Sequence, residues 1–227
     1  MVNLPNKPLH LAIIPDGNRR WARAHALKPW EGHQRAFDSS HALTDWCRQD
    51  PRIGTLTLWG FSTENWNRDP REVSALMGIF VKYLKDQQAS LHQHKTRFLH
   101  SGRKDRIPSE LAALINKTER ETSHYTDFTF HLALDHGGQD EILRAIAKLN
   151  GAEPTVENLR RHFDHPDLPD FDLVIRTSGE QRTSGFFIWQ AAYAEWYFEP
   201  KLFPDLVPDD LAQAVTDFER RQRRFGG

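Results

Sequence analysis

Short apolar runs rich in β-branched and aromatic residues alternate along this chain with longer stretches of helical period. The runs are Leu9 to Ile14, Thr55 to Phe61, Thr96 to His100, Asp127 to Leu134 and Phe171 to Thr177. Helical period fits Ala36 to Cys47, Glu72 to Ser90, Pro108 to Thr122, Asp140 to Leu149, Val156 to Phe163 and Asp209 to Arg221. Strands separated by helices pair in parallel through crossovers, so the pattern predicts an α/β fold: an open, mostly parallel sheet flanked by helices. His165 to Asp172, rich in Pro and Asp, reads as a loop, and no repeat or low-complexity tract marks a linker. The expectation is one domain over residues 1–227, a length that supports a substantial core.

Charge narrows the function. Lys plus Arg total 30 against 31 Asp plus Glu, a net charge of -1, so nothing draws the whole molecule to nucleic acid or an anionic membrane. Any anion site must be local. No apolar run reaches the roughly 20 residues of a transmembrane segment, and Met1 to Leu9 lacks the basic and apolar regions of a signal peptide. A cytoplasmic protein is expected. The single cysteine, Cys47, can form no internal disulfide and reads as a small core residue.

Neither GxGxxG after the first strand nor GxxxxGK[ST] is present, so the usual nucleotide fingerprints of a parallel sheet are missing. Ligands of open α/β sheets bind beyond the carboxyl ends of the strands, and those ends carry the informative residues. The first strand runs into Asp16-Gly17-Asn18-Arg19-Arg20-Trp21. Gly17 permits close approach of a ligand, the opening helix offers N–H groups, and Arg19 with Arg20 supplies forked donors for phosphate oxygens. Asp16 would repel a bare diphosphate, but makes sense if it holds Mg2+ against the phosphates. A helix cap with solvated arginines is the plainer reading. The second strand ends in Phe61-Ser62-Thr63-Glu64-Asn65-Trp66-Asn67-Arg68, and another in Arg176-Thr177-Ser178-Gly179-Glu180-Gln181-Arg182-Thr183-Ser184-Gly185. Each could be a capped turn; three cradles at three strand ends point to a diphosphate site.

With these motifs in hand, the chain resembles the cis-prenyltransferases, the family of undecaprenyl diphosphate synthase. The resemblance runs from His10 to Gly227 and includes Gly32-His33, Glu72 to Met77, Gly137-Gly138, Asp172 to Glu180 and Trp189 to Glu195. It implies a hydrophobic tunnel between sheet and helices, a homodimer, and Mg2+-dependent transfer of a prenyl group with release of diphosphate. Carried over residue by residue, Asp16 is the metal carboxylate, with Glu195 helping to place the metal. Gly17, Asn18, Arg19, Arg20, Trp21 and His33 surround the allylic diphosphate, joined by Ser62, Thr63, Trp66 and Arg68. Asn65 is implicated in proton removal, and His33 or a diphosphate oxygen are alternative bases. Arg176, Arg182, Thr183 and Ser184 hold a second diphosphate, which Arg224 and Gly226 complete across the dimer.

The departures from the family pattern cluster in the allylic pocket. Pro15 stands where regular members have Met, Pro29 where they have Arg, Ala36 where they have Gly, and Asp135-His136 where they have Asn-Tyr; Ser178 replaces Gly and Gln181 replaces His. Bulky Phe128 and Tyr83 occupy expected tunnel positions, which predicts a short product, because a packed interior does not yield to added methylenes. The expected reaction is irregular: two dimethylallyl diphosphates condense into a branched or cyclic C10 diphosphate. Ordinary cis elongation with isopentenyl diphosphate is the alternative. A non-catalytic partner subunit is the alternative of another class, and the presence of Asp16, Asn18, Arg176, Arg182 and Glu195 argues against it.

Overall fold

The computed structural model describes residues 8–221. Its strands are β1 (Leu9–Ile14), β2 (Ile53–Ser62), β3 (Thr96–Ser101), β4 (Phe128–His136), β5 (Leu173–Arg176) and β6 (Glu195–Phe198). The helices are α1 (Asn18–Ala24), α2 (Pro29–Gln49), α3 (Pro70–Gln93), α4 (Ser109–Thr122), α5 (Gly138–Lys148), α6 (Val156–Arg160) and α7 (Pro208–Arg220). The strands form one sheet in the order β3-β4-β2-β1-β5-β6, and every neighbouring pair is parallel. The expected strands and helices are all present, and β6 is an addition. Its residues are all half-buried, so Glu195–Phe198 shows no alternation from which a strand could be read.

Both α2 and α3 start earlier than periodicity predicts, and both starts are prolines. Pro29 and Pro70 occupy the first turn, where the missing N–H costs nothing and the fixed φ suits the helix. The Glu31 carboxylate accepts from Lys28 N–H at 2.8 Å, and the Asp69 carboxylate accepts from Arg71 N–H at 2.8 Å, closing both ends.

Alternation along the strands sorts the core into two faces. Leu9, Leu11 and Ile13 of β1, with Phe128, Phe130 and Leu132 of β4, face the main core, which α2, α3, α4 and α7 cover. Ala12 and Ile14 face the other side, where Phe186, Phe187 and Ala191 pack. Cys47 is buried in the main core, and burial pushes its thiol pKa up, so it is inert. Crossing from β1 to β2 runs over the first face, and from β5 to β6 over the second. The chain therefore leaves β1 and β5 in opposite directions, which opens a crevice between their carboxyl ends.

Candidate active site

That crevice is where the arginines and carboxylates converge. Ile14 pairs with Arg176 in the β1–β5 register, so Asp16 and Arg176 emerge side by side. The Asp16 carboxylate accepts from Gly17 N–H at 2.6 Å and from Arg176 Nη2 at 2.8 Å, while Thr177 Oγ1 accepts from Asp16 N–H at 2.8 Å. Arg176, 4% exposed, also donates to Ser184 Oγ at 2.9 Å and to the Arg182 carbonyl. Arg20 reaches in from α1, with Nη2 3.7 Å from Asp16 and 3.5 Å from Glu180. Gly17 has φ 100, and a Cβ there would lie 2.7 Å from Leu202, so this turn requires glycine.

Of the ten buried side-chain polar atoms that lack a partner among the described residues, three lie around the crevice: Asn18 Oδ1, Ser178 Oγ and Arg176 Nε. Native interiors leave few polar atoms unpaired, and their convergence here marks the place of a polar ligand.

A second cluster lies where α1, α2 and α3 meet. His33 donates Nε2–H toward Glu72 at 3.4 Å, and Asn18 Nδ2 faces His33 Nδ1 at 3.4 Å. Arg19 and Arg68 approach the same carboxylate at 3.6 and 3.5 Å. The His33 hydrogen bond, opposed by burial and aided by both arginines, holds the Glu72 carboxyl below its ordinary pKa. Glu72 is a site residue that sequence reasoning passed over, because an acid in the first turn of a helix reads as a complement to the helix dipole. Gly32 lets α2 approach α1, since a Cβ there would lie 2.2 Å from the Asn18 carbonyl oxygen.

Beneath these groups an apolar cleft of about 440 Å3, mouth included, runs down between the sheet, α2 and α3. Pro15, Asn18 and His33 form its rim, with Ala36 below. Its floor is aromatic: Phe37 meets Phe80 and Tyr83 at 5.0 Å, and Tyr83 meets Phe130 at 6.3 Å between ring centroids. Tyr83 thus lies in the cleft as expected. Phe128 does not line it; period two along β4 puts Phe130 on the same face one step nearer the mouth, and Phe128 is core beneath it.

The comparisons with known proteins agree with this geometry. The model of the family described as putative undecaprenyl diphosphate synthase matches residues 14–226. The chain belongs to this family, the cis-prenyltransferases. The isoprenyl transferase of Fusobacterium nucleatum is 40% identical over 98% of this chain and 97% of that protein. The tritrans,polycis-undecaprenyl-diphosphate synthase (geranylgeranyl-diphosphate specific) of Thermococcus kodakarensis is 38% identical over 97% of this chain and 88% of that protein. Lavandulyl diphosphate synthase from Lavandula x intermedia, solved with dimethylallyl diphosphate, superposes with TM-score 0.92 and 33% identity, over 97% of this chain and 98% of that one. The protein is therefore a prenyltransferase enzyme of the α/β cis-prenyltransferase fold.

Of the site residues expected for a cis-prenyltransferase, Asp16, Gly17, Arg20, Arg176, Arg182 and Ser184 gather at the crevice, and Arg19, Asn18, His33 and Arg68 at the Glu72 cluster. Thr183 precedes Ser184 in the same loop, its carbonyl accepting from Phe186 N–H at 3.0 Å. Trp21 sits at the surface, donating to Asp205 at 2.8 Å and stacked on His25. In the second strand end, the Asn65 Oδ1 accepts from Ser62 N–H at 3.1 Å and Thr63 donates to Glu64 at 2.8 Å, while Trp66 packs on Phe61. Glu195 pairs with Leu173 at the amino end of β5 and binds Arg221 at 3.0 Å, so one chain does not bring it to Asp16. Arg224 and Gly226 lie outside the described residues. His136, Glu141 and Asp164 also bring donor atoms within 4.8 Å of one another. Arg144 binds Asp164 at 2.5 and 2.9 Å there, and Gln190 binds Glu141 at 2.9 Å, so both carboxylates are already engaged by protein donors.

Proposed function

We propose that this cis-prenyltransferase condenses two dimethylallyl diphosphates into a branched, cyclised C10 diphosphate, cyclolavandulyl diphosphate. The observation that carries the reading is the aromatic floor of Phe37, Phe80, Tyr83 and Phe130, which leaves a cleft matched to short chains. The likeness to a lavandulyl diphosphate synthase solved with dimethylallyl diphosphate supports it. In this reaction the C–O bond of the donor breaks, its electron pair leaves with the diphosphate, and the acceptor double bond attacks the allylic cation. A tertiary cation results, and loss of a proton gives the branched diphosphate. The cyclic product forms when a proton is returned to the remaining double bond, the new double bond closes the ring on that cation, and a proton is lost again.

The chain's own groups match these steps. Arg176 and Arg20, with the N–H groups beyond Gly17, stabilise the leaving diphosphate, and the apolar cleft keeps water from the cation. His33 is the favoured proton acceptor, because Glu72 fixes its hydrogen on Nε2 and leaves Nδ1 at the cleft rim. The donor set fits Mg2+, which takes one or two carboxylates and completes its shell with phosphate oxygens and water. Asp16 would hold the ion, and the ion would neutralise diphosphate charge as the C–O bond breaks. A homodimer, through which Glu195 and the terminal Arg224 and Gly226 would reach a partner's crevice, belongs to this reading, as does a cytoplasmic location. No described helix is long and apolar enough to cross a membrane.

Regular cis elongation with isopentenyl diphosphate is the second reading, and relatives such as the Fusobacterium isoprenyl transferase favour it. Mass spectrometry of products from dimethylallyl diphosphate alone, then with isopentenyl diphosphate added, separates the two. A C10 diphosphate from the first incubation supports the irregular reaction. Long chains only in the second support elongation.

A further inference from the structure

We infer that Thr177 is a positioning residue of the prenyl transfer reaction: its buried hydroxyl clamps the backbone of Asp16 and so sets the direction of the Asp16 carboxylate. The inference rests on the reading that this carboxylate holds Mg2+ against a diphosphate. Ile14 and Arg176 are the last pair of the β1–β5 ladder. The next residue of β1 is Pro15, which has no N–H with which to extend it. Past this point a side chain takes over from the ladder.

Thr177 Oγ1 accepts from Asp16 N–H at 2.8 Å and donates to the Asp16 carbonyl, also at 2.8 Å. The Ile14 carbonyl, at 3.3 Å, is the more distant acceptor for its single hydrogen. One hydroxyl thus holds both ends of the same residue. Arg176, the last residue of β5, donates to the Asp16 carboxylate at 2.8 Å, and Thr177 is the next residue along. Consecutive residues of one strand end therefore grip the side chain and the backbone of Asp16. Thr177 is fully buried, so neither water nor substrate reaches its hydroxyl, and it acts through Asp16.

Direction matters because the carboxylate is already partly engaged. Oδ1 accepts from Gly17 N–H at 2.6 Å and Oδ2 from Arg176 Nη2 at 2.8 Å, which leaves each oxygen a further lone pair for a cation. The side chain is 29% exposed, so those lone pairs can be reached from the crevice. Where they point follows from the Asp16 backbone, which leads straight into the left-handed turn at Gly17. Without the clamp the carboxylate can swing relative to Arg176 and away from a diphosphate held there. Groups that orient a metal ligand in this way matter by about 10–100-fold in metal affinity or activity. A hydroxyl is required, since the position must accept and donate at once: serine can do both and valine neither.

Binding of the Mn2+ complex of inorganic diphosphate, followed by electron paramagnetic resonance, reads the carboxylate without turnover. Thr177→Val is expected to weaken it about 10–100-fold, and Thr177→Ser to stay within about threefold of wild type. The Asp16 N–H keeps the Ile14 carbonyl at 2.9 Å and the Asp16 carbonyl keeps Phe203 N–H at 3.1 Å, so the valine variant should fold. Circular dichroism checks this, and Thr177→Ala is a second variant with the same expectation. In steady-state kinetics Thr177→Val should lower kcat in the wild-type background and add no further loss to Asp16→Asn, where no charge is left to aim. Wild-type affinity in a folded Thr177→Val or Thr177→Ala overturns the positioning role. So does a Thr177→Ser variant as weak as Thr177→Val, or a full additive loss in the double variant, either of which would make Thr177 a packing residue. Equal affinity of wild type and Asp16→Asn for the complex removes the metal reading of Asp16 itself, and the role of Thr177 falls with it.

Discussion

The Asp16 carboxylate and the Arg176 guanidinium, 160 positions apart in the chain, meet at 2.8 Å across the crevice between β1 and β5. The pairing is a consequence of topology, since β1 and β5 are neighbours whose connections depart over opposite faces. It places an acid and a nearly buried cation where a diphosphate would bind. Asp16→Asn keeps the size of the side chain and its acceptor for Gly17 N–H but removes the charge. Turnover should fall by about two orders of magnitude or more, the scale of several kcal/mol of charge stabilisation. The melting temperature should fall as well, because Arg176, 4% exposed, loses its counter-charge, so turnover is measured at a temperature where the variant is folded. Activity within tenfold of wild type at saturating Mg2+ would take Asp16 out of the mechanism.

Glu72 gives a second prediction. It gathers His33, Arg19 and Arg68, so Glu72→Gln leaves two arginines without their counter-charge and weakens the hold on His33. Arg19 is more than half exposed, and the loss of stability should be modest, about 1–3 kcal/mol. The KM for dimethylallyl diphosphate should rise about tenfold as His33 and the arginines lose their fixed positions. Steady-state kinetics with an unfolding curve on the same preparation checks both, and an unchanged KM would make the cluster purely structural.

Much of this was legible in the residues. Short β-branched runs between helical stretches required the parallel sheet, and the strand-end motifs marked the carboxyl ends of β1, β2 and β5 as the ligand side. The assembly around Glu72 was not legible, because α1, α2 and α3 bring its partners together from positions 19, 33 and 68. Phe128 and Phe130 share a strand face, and periodicity does not say which of them stands at the cleft floor. Glu195 read as part of a motif, and only the β5–β6 register shows that it lies at the opposite end of the strand from Arg176.

Buried histidines of β3 and β4 set a pH dependence. His100 donates Nε2–H to the Leu134 carbonyl at 3.0 Å and its Nδ1 has no partner; burial, with Lys104 nearby, pushes its pKa down to about 3. Burial, with His165 and His10 adjacent, also holds His131 well below its ordinary value. The unfolded chain takes up these protons below about pH 6.5 and the folded protein does not, so stability is full above that pH and declines as pH falls. Each such histidine contributes a slope of up to about 1.4 kcal/mol per pH unit. Urea unfolding at pH 7.5 and 5.5 should show the protein clearly weaker at pH 5.5, and less so in His100→Gln. Equal stability at the two pH values would contradict the assignment.

The product prediction turns on Tyr83. Its ring closes the cleft against Phe37 and Phe130, so two C5 units should fit and a C15 primer should not. The wild-type protein should convert dimethylallyl diphosphate alone into a branched or cyclic C10 diphosphate. Tyr83→Ala should open the floor and admit longer allylic primers, at a cost of about 3–5 kcal/mol for a buried aromatic, so the variant's fold is checked by circular dichroism first. Phe128→Ala is the matched control: it removes a comparable buried ring without touching the cleft, and should lose stability while the product stays C10. A shift in product length with Phe128→Ala but not with Tyr83→Ala would place the floor elsewhere. If the wild-type protein leaves dimethylallyl diphosphate alone untouched and extends farnesyl diphosphate with isopentenyl diphosphate into long chains, the irregular reaction is excluded, and the aromatic floor must yield to a growing chain.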